Sequence, residues 1–573
     1  MPVRNPRLAC SATLSLLLLL AACGGASSPD YDVILRGGMI YDGLGNEAVV
    51  ADLAISGDRI AAIGDLTSAT GRDVYDVRGK VVAPGFINML SWATDSLIED
   101  GRAMSDIMQG VTLEVMGEGV SMGPLNQAMK SEATNRQGDI KYDIEWTTLG
   151  EYLDFLVANG ISPNVASYVG ATTIRVHELG YEDRPPTAEE LARMQDLVRA
   201  AMEEGALGVG SSLIYAPAFF ADTDELIALV TAAAEYGGAY ISHIRSEGTR
   251  LEEGVQELIK IASISGAPAE IYHLKAAGRQ NWHKLQNVFT LIEAAQDAGL
   301  EITADMYTYP AAATGLDAAM PLWVQEGGHD AWVARLRDPE IRARVTAEMQ
   351  TATDEWENLF LEAGPENMIL LGFKNPELKP LSGKTLQEVA DKRGTSAAET
   401  AIDLVIEDDS RVGTGYVVMS EENVSRKVAR PWVSFGSDAG APATEGVFLL
   451  SNPHPRAYGT FARVLGKYVR EDGVISLREA IRRMTSLPAY NIGVRERGEL
   501  TEGYAADVVV FDPVRVADHA TFPEPHQYAT GMEHVFVNGQ QVLKWGEHTG
   551  ALPGRVLRGP GWSGWPENAL PAE

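Results

Sequence analysis

Four residues stand directly after short apolar runs and carry side chains that could act on one molecule together. His243 follows Tyr240-Ile241-Ser242, and His273 follows Glu270-Ile271-Tyr272 thirty residues on. That separation is one strand-plus-helix unit, so the two imidazoles are expected on adjacent strands, facing a shared space. Neutral imidazole is a good ligand for zinc and similar divalent metals. A lone histidine reads as a surface or hydrogen-bonded residue, but two at equivalent strand ends favour a metal. Glu118 follows Val111–Met116 and lies between Gly117 and Gly119; glycines on both sides let the backbone bend its carboxylate inward. A Glu-His-His set gives one divalent metal, zinc by preference, three protein ligands and leaves a position open, as catalytic sites do. Glu114, within the same apolar run, is the alternative carboxylate. Asp438 follows the run 431–435. A carboxylate opposite the metal can take a proton from the attacking water and pass it to a leaving group.

The elements that must hold these residues alternate. Helical patterns over 187–204, 224–236 and 251–264 are separated by short apolar strands such as 239–242 and 270–272. Repetition of that unit across 84–497 predicts parallel strands closed into a TIM (β/α)8 barrel, whose chemistry sits at strand C-terminal ends. The stretch 315–380 is charged, holds Trp323, Trp332 and Trp356, and breaks the rhythm; it is expected as an inserted helical lid. At the two ends, 31–83 and 498–560, apolar runs bounded by Gly and Asp predict one small β-sandwich built from both termini. Asn538-Gly539 there is a two-residue hairpin signal.

Of 573 residues, 79 are acidic and 47 basic, a net charge of −32. Such a field repels nucleic acid and anionic surfaces, which removes nucleic acid as a partner. The two cysteines, Cys10 and Cys23, leave the main domain without an internal disulfide, so its stability must come from a core. Arg4 and Arg7 precede an apolar run, 14–22, that is far shorter than the ~20 residues of a membrane-spanning helix. This pattern predicts a secretory signal over 1–22. Leu20-Ala21-Ala22-Cys23 resembles a bacterial lipobox, in which Cys23 would be lipidated, with 23–30 as a flexible tether. The expected location is the bacterial cell envelope, facing the periplasm, with membrane contact through the lipid alone. Gly24 lacks an aspartate-type retention signal, which favours the outer membrane.

Together these residues and their surroundings resemble the D-aminoacylase (N-acyl-D-amino-acid deacylase) branch of the amidohydrolase superfamily. The resemblance runs from Leu35-Arg36-Gly37-Gly38 to Gly554-Arg555-Val556-Leu557. It is carried by Ala83-Pro84-Gly85-Phe86-Ile87, Ser242-His243-Ile244-Arg245-Ser246-Glu247-Gly248, His273-Leu274-Lys275, Asp305-Met306-Tyr307, Ser437-Asp438 and His454-Pro455-Arg456-Ala457-Tyr458. It implies a distorted barrel with a small β-domain and hydrolysis of an N-acyl amide through bound zinc. It implies that His243 and His273 bind metal and that Asp438 is catalytic. Lys275, Tyr215, Tyr307 and Arg456 match residues that hold the substrate carbonyl or carboxylate, a task suited to the two-pronged guanidinium.

The departures are as informative. Leu90 and Trp92 stand where the superfamily places a His-x-His pair, and neither binds zinc, so one metal is expected rather than two. Glu118 aligns with a cysteine ligand, Ala171 with a histidine and Ala313 with a substrate-contacting serine. The expected function is a single-metal hydrolase of a small amide, an N-acyl (D-)amino acid first. A non-catalytic binding lipoprotein on the same scaffold, or a hydrolase of a cyclic amide or lactone, are the alternatives.

Overall fold

The computed structural model describes residues 28–564; the expected signal segment and Cys23 lie outside them. Five strands come first along the chain: β1 (Tyr31–Ile40), β2 (Val49–Ser56), β3 (Arg59–Gly64), β4 (Gly71–Asp76) and β5 (Val81–Pro84). β1 lies antiparallel to β2 and parallel to β4 and β5.

The chain then enters a barrel. β6 (Phe86–Asn88), β7 (Val111–Met116) and β8 (Asn164–Ser167) pair in parallel. So do β9 (Val169–Gly170), β10 (Gly208–Ser212), β11 (Ala239–His243), β12 (Ala269–Ile271) and β13 (Ile302–Ala304). β8 and β9 are two halves of one strand interrupted at Tyr168, whose N–H donates to Met116 O. Closure comes from the run expected as a strand over 431–435. That run and the residues after it form single parallel bridges instead, Val433 to Ala304 and Ala439 to Ser91, because its first residues turn back and Val433 N–H bonds Arg430 O. This segment occupies the eighth strand position.

Helices cover the barrel as their sequences require. Thr187 and Glu190 form a reciprocal cap on helix Ala188–Glu203, whose buried Met194, Val198, Ala201 and Met202 fall on one face at helical spacing. Asp222 caps Thr223–Ala234 by accepting from the Glu225 N–H, and Leu251–Ser265 buries Val255, Leu258 and Ala262.

The excursion expected as helical over 315–380 is longer and partly β. Strands β14 (Ala311–Gly315), β15 (Met368–Gly372) and β16 (Gly413–Val417) form an antiparallel sheet. Helices including His329–Leu336 and Ala397–Asp408 pack on it, around a core of its own that contains Trp332, Leu404 and Tyr416. Five-residue strands whose partners lie far away in sequence leave no local pattern to read.

β17 (Val508–Phe511), β18 (Met532–Val537), β19 (Gln540–Lys544) and β20 (Glu547–His548) complete the molecule. β17 pairs antiparallel with β5, so both chain ends share one nine-stranded sheet. The sheet folds over on itself: Tyr75 of β4 meets the rings of His534 and Phe536 on β18. Asn538 and Gly539, with φ of 48° and 76°, make the expected tight turn between β18 and β19. Among the described residues no helix is long and apolar enough to cross a membrane.

Candidate metal centre and catalytic site

His243 is the last residue of β11, opposite Ser212 of β10. His273 lies two residues past β12 with φ of 34°, a left-handed conformation that costs a non-glycine residue and that functional sites retain. Its backbone N–H is fixed by Asp305 Oδ1 at 2.8 Å. Glu118 sits in the turn after β7, where Gly117 and Gly119 have φ of 109° and 66°. A Cβ on Gly117 would meet Tyr168 O at 2.3 Å, and one on Gly119 would meet Ser212 Cβ at 2.5 Å. Only glycines allow this turn, and the turn aims the carboxylate inward.

The three side chains converge. Glu118 Oε1 lies 3.1 Å from His243 Nδ1 and 3.0 Å from His273 Nε2, and one ligand atom of each falls within 4.8 Å of the others. All three are buried, and His243 Nε2 makes no hydrogen bond among the described residues. Ligand atoms on one tetrahedral zinc sit roughly 3.4 Å apart, so this set fits a single ion. Burial alone would raise the Glu118 carboxyl, but the two imidazoles hold it well below the usual range. Burial and Lys275 push His273 down, whereas Glu247 and Glu118 lift it further, to about 10. Glu114 faces elsewhere: it accepts from Asn88 Nδ2 at 2.9 Å, and burial pushes it up to about 7. It is not part of the ligand set.

Leu90 is buried in the barrel, and Trp92 donates its indole N–H to Glu118 Oε2 at 2.9 Å. The tryptophan thus orients a ligand. Two further residues escaped the sequence reading. Glu247 Oε1 lies 2.5 Å from Lys275 Nζ and 3.1 Å from His273 Nδ1, and its Oε2 lies 3.4 Å from His243 Nε2. Burial would raise it, yet His243, Lys275 and His273 keep it strongly acidic. Its position four residues after His243 was the available signal. Arg411, on the insertion, pairs with Asp317 Oδ2 at 2.9 Å and lies 5.1 Å from the Tyr215 ring centre; nothing in its local sequence marks it.

Across the site, Asp438 has φ of 50°, and its Oδ2 lies 2.7 Å from Arg456 Nη1. Burial pushes the Asp438 carboxyl above the usual aspartate range, and Arg456 pulls it partway back. Arg456 N–H donates to His454 Nδ1 at 2.9 Å, while His454 Nε2 faces Ala311 O at 3.1 Å. That pairing assigns the His454 proton to Nε2 and fixes the ring that carries Arg456. The guanidinium lies 4.5 Å from the Tyr307 ring centre, and the buried Tyr307 hydroxyl makes no hydrogen bond among the described residues. The Tyr215 ring is 5.4 Å from that of His243. Lys275, expected to meet substrate, gives its amine to Glu247 and, at 2.7 Å, to His273 Nδ1.

One cavity of about 890 Å³ is lined by Glu118, His243, His273, Lys275, Tyr215, Tyr307, Asp438 and Arg456 together. A carboxylate-imidazole metal set facing a strained aspartate across a deep cleft is equipped for hydrolysis of a carbonyl compound. The amidohydrolase family model matches residues 73–543.

This chain belongs to the amidohydrolase family.

D-aminoacylase of Alcaligenes xylosoxydans xylosoxydans is 35% identical to it over 536 residues, covering 93% of this chain and 98% of the relative. N-acyl-D-glutamate deacylase of the same organism is 32% identical over 529 residues, covering 92% and 96%. Among solved structures, N-acyl-D-glutamate deacylase from Bordetella bronchiseptica, complexed with zinc and a phosphonate inhibitor that mimics the tetrahedral intermediate, matches with a TM-score of 0.75. It is 32% identical, covering 92% of this amidohydrolase and 99% of that chain.

Proposed function

We propose that this amidohydrolase cleaves the amide bond of N-acyl-D-amino acids, using one divalent metal, zinc first, held by Glu118, His243 and His273. The convergence of those ligands with the Asp438–Arg456 pair in one cavity carries the reading, and the names of the similar deacylases supply the substrate class. When bound, the metal supplies Lewis acidity toward the carbonyl oxygen and makes water more acidic. Asp438 takes the proton of the attacking water as the new C–O bond forms. It then gives that proton to the amide nitrogen as the C–N bond breaks, releasing a carboxylate and a free amino acid. Arg456 grips the substrate carboxylate beside Asp438, and Tyr307, whose hydroxyl makes no hydrogen bond among the described residues, donates to the same group. Glu247 holds Lys275 and both histidines in register.

Amine release from a panel of N-acyl-D- and N-acyl-L-amino acids by zinc-loaded protein tests this. Turnover of D substrates, cut by roughly 10²–10⁴ in Asp438→Asn, is expected. No turnover across the panel with metal bound would overturn it.

We also propose that the chain is lipid-anchored in the cell envelope through Cys23, a reading supported by the Leu20–Cys23 sequence alone. Labelled palmitate should enter the full chain and not Cys23→Ala; equal labelling of the two would refute it.

A further inference from the structure

The cavity is much larger than a short N-acyl amino acid needs. At about 890 Å³ it stands near the top of the ~300–1,000 Å³ range that encloses drug-sized ligands. Part of that space has an apolar wall. Beyond Glu118 an arm is lined by Met122, Leu125, Met129, Ile144 and Val176. Helix Gln127–Arg136 roofs it and has no fully buried residue of its own. Met129, Glu132, Ala133 and Arg136, one face of that helix, line the cavity. Glu132 and Arg136 pair at 3.0 Å on that face.

Barrel order tells which half of the substrate reaches this arm. The departing amine must lie beside its proton donor, Asp438, and the carboxylate on the amine's own carbon must lie by Arg456, 2.7 Å from that aspartate. Asp438 follows the eighth strand position, and Tyr307, under Arg456, follows β13, the seventh. The arm rises after β7 and after β9, the second and third positions. Positions seven and three face each other across an eight-stranded barrel. The acyl group, on the far side of the scissile bond from the amine, therefore points into the arm.

We infer that the arm is an acyl-chain subsite, and that the substrates are amphiphilic N-acyl amino acids carrying an extended apolar acyl group. This rests on the deacylase reading above. Each methylene moved from water into such a wall favours binding.

The test compares kcat/KM for N-acetyl, N-octanoyl and N-lauroyl derivatives of one D-amino acid, in the zinc-loaded protein and in Met129→Glu and Ala133→Phe. A gain of about tenfold or more from acetyl to octanoyl is expected, and the octanoyl-to-acetyl ratio should collapse in both variants. A flat or falling series, or a ratio the variants leave unchanged, overturns the subsite while leaving the deacylase reading intact. If no derivative is turned over, the deacylase reading falls. Calorimetric binding of the same compounds then decides the subsite: tighter octanoyl than acetyl binding, lost in both variants, upholds it, and equal affinities overturn it.

Discussion

At the residue scale, the centre depends on how Glu118 is presented. One of its oxygens faces both imidazoles and the other takes the Trp92 indole N–H. Partners of this kind orient a ligand, and their loss typically costs 10–100-fold in metal affinity. Trp92→Phe keeps the aromatic bulk at a partly exposed position and removes only the donor. Zinc affinity, measured by competition with a chelator, is expected to fall about 10–100-fold with the unfolding midpoint of the metal-free protein unchanged; unchanged affinity would refute the role. Asp438 gives a pH prediction. It must be deprotonated to accept a proton, so kcat/KM falls as pH drops through its pKa, which burial places above the ordinary aspartate value. Arg456 favours the charged form, so Arg456→Gln should move the acid limb to higher pH, and a limb that stays or moves down contradicts the assignment. His243, His273, Glu118 and Asp438 were legible in the sequence because each directly follows an apolar run. Trp92 was read only as a lost histidine, since a hydrogen bond to a side chain 26 positions on has no local signature. Arg411 pairs with Asp317 on another stretch of the chain and was equally silent, whereas Glu247 carried only its spacing of four from His243 as a signal.

At the scale of elements, the strand ends and the turns after them set the site. The parallel βα rhythm was legible in the middle of the chain because caps such as Thr187 with Glu190 and one-sided apolar faces mark its helices. The insertion was not, because β14, β15 and β16 are short and pair only through distant contacts. The turn after β7 is the most exacting element. Gly117, at φ of 109° and with Tyr168 O 2.3 Å from where a Cβ would lie, admits no side chain. Gly117→Ala should cost about 1–3 kcal/mol in denaturant unfolding and should reduce metal content as well, because the same turn carries Glu118. Full stability with full metal content would show that the turn tolerates a different backbone.

At the scale of the molecule, both chain ends close one sheet over a shared core of Val33, Leu53, Val508, Val510 and Phe536. Phe536 is fully buried, so Phe536→Ala should cost about 3–5 kcal/mol. Val514→Ala, at an exposed position, should stay within about 0.5 kcal/mol of the parent. Equal effects would mean that the C-terminal strands add nothing to the fold. The sheet closes the molecule, and the barrel carries the chemistry. The most direct test of the account is therefore the metal content per chain of the purified protein, of Glu118→Gln and of His243→Ala after identical zinc loading and dialysis. About one ion per parent chain and almost none in either variant, with amine-releasing activity following the metal, is the predicted result. Two ions per chain, or one retained in both variants, would contradict a single centre built from Glu118, His243 and His273.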